Sequence, residues 1–152
     1  MMIFKKKIKF LAITICLFLF SSLNVKAANL SFNSSSSVRI GNKVEVILAI
    51  GDLGEDQVSG INGKLNFDSN YLEFVNAQNM APFAIRYKSD VQLIAGFAIG
   101  DNIVNSSNLM KFTFQTKKEG TTTISLTNIK VTDANSTPIA INSPSKSITI
   151  TP

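Results

Sequence analysis

Residues 61–75 read INGKLNFDSNYLEFV, and the first seven alternate without a break. Ile61, Gly63, Leu65 and Phe67 fall on one side of an extended chain, and Asn62, Lys64 and Asn66 on the other, because successive strand side chains point to opposite faces. This is the pattern of a half-buried antiparallel strand, apolar inward and polar toward water. Asp68-Ser69-Asn70 should end the strand, since short polar side chains bond their own backbone and favour turns. Leu72, Phe74 and Val75 form a second apolar segment. Glu73, three residues after Asn70, suits a brief helical turn capped by Asn70.

Outward from this stretch the chain continues as short strands and turns. Leu30 and Phe32 open a first strand, and Val44 to Ile50 (VEVILAI) is rich in β-branched residues. Residues 51–60 form a loop with Gly and acids, and 76–82 read as a second loop. Strands are expected at 83–88 and 91–98 around Ser89-Asp90. After a polar loop at 100–108, strands at 109–116 and 121–131 flank Gly120, which can supply the positive φ of a short hairpin. Residues 139–141 and 147–151 are the last short strands. About nine strands, frequent turn signals and no long amphipathic helix predict an all-β fold, an antiparallel β-sandwich. The expected core is Ile61, Leu65, Phe67, Phe97, Phe112, Phe114, Ile124 and Leu126.

Residues 1–27 stand apart. Lys5, Lys6, Lys7 and Lys9 precede an 11-residue apolar run from Phe10 to Phe20, and Val25-Lys26-Ala27 supplies small residues before a cleavage point. This is the anatomy of a secretory signal peptide, too short for a membrane span of about 20 residues. Thr14-Ile15 before Cys16 does not suit lipidation. Cleavage after Ala27 leaves a single domain at 28–152, exported and with no membrane span. The leader takes five of the 15 basic residues and none of the 10 acids, so the mature domain is neutral. The basic pI of the whole chain therefore gives no reason to expect nucleic acid as a partner. The lone Cys is lost too. At 125 residues the domain can bury a core without disulfides, and a monomer is expected.

Histidine is absent from the chain and Cys from the mature domain, which removes the commonest general base and the thiol nucleophile. Two carboxylates could still serve a glycosidase, but the acids fall mainly in turns, where Asp is favoured for local backbone reasons. Asp52, Glu55 and Asp56 cluster in one loop without the spacing of a calcium loop. No enzyme activity, cofactor or metal is expected. Sugar binding on a flat face needs exposed aromatic rings, and there is no Trp, only Tyr71 and Tyr87. Tyr71 reads as a corner-packing residue and Tyr87 as the better candidate for an exposed ring. The sequons at Asn33, Asn105 and Asn135 mark polar loops. After Pro152 no sorting motif or second domain is read.

The run Lys64-Leu65-Asn66-Phe67-Asp68 followed by Leu72-Glu73-Phe74-Val75 resembles the central strand of cohesin domains, bacterial scaffold modules that bind the dockerin modules of enzymes. Val38-Arg39-Ile40-Gly41-Asn42-Lys43-Val44-Glu45-Val46 is similar to the family's opening segment. Leu109-Met110-Lys111-Phe112-Thr113-Phe114 with Gly120-Thr121-Thr122-Thr123-Ile124 resembles its hairpin. Ser69 departs from the Pro that many members carry there. The resemblance implies a jelly-roll sandwich and a dockerin-bearing partner, such as a glycoside hydrolase or another surface protein, in an extracellular polysaccharide-degrading assembly. It places partner recognition at Asn62, Lys64 and Asn66, which alternation independently turns outward. Neighbouring strands would add Gln92, Ile94, Thr123 and Ser125. Two alternatives stay open: a carbohydrate-binding module that takes polysaccharide, and a structural cell-surface sandwich with no dockerin partner.

Overall fold

The computed structural model describes residues 27–54, 57–98, 103 and 105–152, so all but the last residue of the expected leader at 1–27, and the acids Glu55, Asp56 and Asp101, lie outside the described residues. Eleven strands form: β1 Ala27–Asn33, β2 Ser37–Arg39, β3 Lys43–Gly51, β4 Val58–Asn66, β5 Leu72–Asn79, β6 Ile85–Lys88, β7 Leu93–Phe97, β8 Ser107–Thr116, β9 Gly120–Asp133, β10 Pro138–Ile141 and β11 Ser145–Thr151. Among the described residues no helix is long and apolar enough to cross a membrane.

The hydrogen-bonded order is β5-β8-β3-β1-β10-β9-β4-β7-β6, with β11 joining β9 to β2. Pairing is antiparallel except at β1–β10 and β2–β11. The half β5-β8-β3-β1 packs over the half built on β9, β4, β7 and β6, as the expected sandwich requires. The parallel β1–β10 pair, Ala27 to Ala140 and Ala28 to Ile141, carries the ladder from one half to the other. At the far side, aromatic rings close the layers. Tyr87 on β6 lies 5.4 Å from Phe112 on β8 and 4.9 Å from Phe74 on β5. Phe67, just past β4, packs edge-on to Phe114 at 5.0 Å.

Alternation builds the core directly. Val44, Val46, Leu48 and Ile50 of β3, Phe112 and Phe114 of β8, Ile124 and Leu126 of β9, and Ile61 and Leu65 of β4 are all buried. Phe67 is partly buried against that cluster. The hairpin expected around Gly120 is instead a crossing between the two halves, since β8 pairs with β3 and β5 and β9 with β4, β10 and β11. Gly120 takes φ 129° at this crossing, a left-handed conformation that glycine alone adopts freely, and a side chain there would also strike Tyr71. Tyr71 is indeed a corner residue, half-buried under the Lys118 ammonium 5.3 Å from its ring.

Three further local expectations fail. Asp68, not Asn70, makes the corner: its carbonyl accepts from Tyr71 N (3.1 Å) and Leu72 N (3.0 Å), and its Oδ1 accepts from Asn70 N at 2.9 Å. Leu72 is therefore already strand, and β5 runs to Asn79 through most of the expected loop at 76–82. A bulge between Phe74 and Asn76 breaks its alternation, which is why the period was unreadable. Finally, Phe97 is not core but 69% exposed.

Candidate functional site

Strand β4 lies between β9 and β7, so its outward residues sit at the middle of a continuous face. Three rows cross it. Lys130, Asn62, Ala95 and Arg86 make one, and Thr127, Lys64, Leu93 and Lys88 the next. The third runs Thr132, Gly60, Phe97. The rows stay in phase because Asn128, at φ 52°, sits where three residues of β9 span two of β4, so that Lys130 and Thr127 both point outward.

The seven expected contact residues divide. Asn62 and Lys64 are exposed, and neither side chain has a hydrogen-bond partner among the described residues. Asn66 is outward but engaged, its amide donating to Thr127 Oγ1 at 2.8 Å and to the Lys64 carbonyl at 3.1 Å. Thr123 and Ser125 follow on β9, with Thr123 Oγ1 3.3 Å from Ser147 Oγ on β11. The hydroxyls of β9 and β11 thus form a polar half of the face.

Gln92 precedes β7 in a left-handed turn (φ 54°), and its carbonyl accepts from Leu65 N at 2.9 Å, so backbone rather than side chain carries its structural role. Ile94 is a correction. It is 0% exposed, and its outward neighbours are Leu93, Ala95 and Phe97. The phase of β7 is inverted from the expected one because Ile94 pairs with Gly63, an inward position of β4. Leu93-Ile94-Ala95-Gly96-Phe97 is apolar on both sides, so hydropathy alone cannot assign its faces.

The inversion puts an apolar ridge on the face. Phe97 stands between two shallow depressions, one walled by Gly60, Asn62, Lys130 and Thr132, the other by Ala84 and Arg86. With no side chain at Gly60, its Cα partner across the ladder, Phe97 stays uncovered on that side. The expected exposed ring, Tyr87, is instead half-buried among Phe74 and Phe112, and its buried hydroxyl has no partner among the described residues. Burial pushes its pKa above 10.0. Among the described residues no group of three or more His, Cys, Asp or Glu is placed to hold a metal ion. Asp52 sits in a left-handed turn (φ 56°).

In fold, the sandwich is similar to that of solved cohesin modules. The chain is similar in structure to the cohesin module of a family 33 glycoside hydrolase from Clostridium perfringens ATCC13124, at TM-score 0.74 and 18% identity, covering 82% of this chain and 97% of that one. It is also similar to a non-cellulosomal cohesin from the hyperthermophilic archaeon Archaeoglobus fulgidus, at TM-score 0.71 and 17% identity over 83% and 92% of the two chains. A third similar structure comes from a type I cohesin–dockerin complex of Clostridium thermocellum, at TM-score 0.66 and 15% identity over 82% and 95%. No protein-family model matches the sequence, and no curated protein matches it. At these identities the likeness is one of fold.

Proposed function

We propose that residues 28–152 are a non-catalytic, exported module that binds a dockerin-bearing protein through the outward face of β4, β7 and β9. The observation that carries this reading is the cohesin fold along 82% of the chain, and solved cohesins of this fold include some in complex with dockerins. The open face centred on Asn62 and Lys64 fits it. Asn66, Thr123 and Ser125 contribute polar contacts beside them, while Ile94 and Gln92 are not part of the contact set. Export rests on the leader at 1–27. Cleavage after Ala27 would start the mature chain at Ala28, the second residue of β1, and mass spectrometry of secreted protein should find that N-terminus.

Recombinant dockerin modules from the same organism provide the functional test. Titration calorimetry should detect binding to the domain, and Asn62→Arg with Lys64→Glu should abolish it with an unchanged thermal melt, since a misplaced charge at an interface centre is costly. Wild-type affinity in that double variant would exclude this face. Retention on insoluble glycan with no dockerin bound would favour the carbohydrate-binding alternative.

A further inference from the structure

The charge on the proposed binding face is one-sided. Lys64, Arg86, Lys88 and Lys130 are all exposed on it, and none has an ion-pair partner among the described residues. Lys64 and Lys88 flank Leu93 across the ladders on either side, and Arg86 flanks Ala95. No outward position of β4, β6, β7, β9 or β11 holds a carboxylate. The nearest described acids in sequence lie at or just past the ends of these strands, Asp68 two residues beyond β4, while Glu55, Asp56 and Asp101 lie outside the described residues. Asp90 is in the β6–β7 turn, Glu119 precedes β9, and Asp133 Oδ1 accepts from Asn135 N and Thr137 N, both at 2.8 Å. The mature chain is neutral overall, so this asymmetry comes from placement and not from composition.

In the row next to Lys130 and Arg86, at one end of this basic face, stands Phe97, 69% exposed with a depression on each side, one reaching Lys130 and the other Arg86. A rigid ring beside cations would bring two forces to contact: apolar area removed from water, and attraction to negative charge that strengthens as water leaves. A second copy of this chain fits poorly, because two such faces would repel. Resting on the dockerin reading above, we propose that the partner surface is acidic and carries apolar side chains that close around Phe97, which acts as the anchor of the interface. Specificity would then lie on the β7 side of the face, and the hydroxyl half on β9 and β11 would form its rim.

The test uses the mature domain and two kinds of probe. Against a dockerin that binds the wild type, Phe97→Ala should weaken affinity about 30-fold or more, as truncation of a central aromatic anchor does. Lys88→Glu with Lys130→Glu should weaken it about tenfold, and raising NaCl from 50 to 500 mM should weaken the wild type but affect that variant less. If a dockerin binds and these variants bind it equally well at both salt concentrations, the inference is wrong while the dockerin reading stands. If no dockerin binds, an amphipathic Leu/Glu peptide and its Leu/Lys twin test the face alone by amide chemical shifts. Shifts at residues 93–97 with the acidic peptide only would support the inference. Equal shifts with both, or none, would overturn it.

Discussion

Asn79 engages four backbone groups with one side chain. Its amide donates to the Phe83 carbonyl at 2.9 Å and the Ala81 carbonyl at 3.4 Å, and its Oδ1 accepts from Ala81 N at 3.3 Å and Ile85 N at 3.4 Å. These bonds fold residues 80–84 between the edge strands β5 and β6. Asn79→Ala should cost about 0.5–1.5 kcal/mol, the net worth of an intramolecular hydrogen bond at a partly exposed site, and denaturant titration at constant slope would measure it. Tyr87 is the opposite case, a buried hydroxyl with no partner among the described residues. Tyr87→Phe should leave the melting temperature unchanged or raise it. The folded domain also holds the Tyr87 proton more tightly than the unfolded chain. Its contribution is therefore complete below about pH 10 and is lost as pH rises above that value. Alkaline melts of wild type should fall faster with pH than those of Tyr87→Phe.

At the scale of the element, β4 and β7 show what periodicity can decide. The Lys and Asn residues of β4 each sit between apolar neighbours, so its faces and the outward set Asn62, Lys64 and Asn66 could be read from sequence. Strand β7 has no polar residue to mark its wet side. Its phase is set by contact with β4 and β6, where Gly96 lets the backbones close: a Cβ there would lie 2.6 Å from the Ala84 carbonyl and 2.9 Å from Ile85 Cα. The apolar half of the face was therefore hidden, and with it Phe97. The corrected phase predicts unequal costs. Ile94→Ala should destabilise by about 2–5 kcal/mol as a cavity in the core, whereas Phe97→Ala should change stability by less than about 0.5 kcal/mol. Paired thermal and denaturant melts would reverse this order if Phe97 were core.

At the scale of the molecule, nearly every partner is distant in sequence. Strand β1 lies between β3 and β10, β11 reaches back to β2, and Asn142 continues the seam, accepting from Leu30 N at 2.6 Å and donating to the Leu30 carbonyl at 2.8 Å. Distant pairing delays the reward for closing loops, so the domain should refold in milliseconds to seconds. Stopped-flow tyrosine fluorescence would check this, and microsecond relaxation would contradict it.

The seam at β1 has a consequence for how the chain is made. A ribosome releases β1 first, and β3, one of its two neighbours, soon after. Its other neighbour, β10, together with the Asn142 clasp and β11, is made only from residue 138 onward. A nascent chain stalled at residue 137 would hold most of its strands and still have no way to close the sandwich. The chain therefore stays open, and able to thread through a narrow pore, until β10 and β11 have left the ribosome.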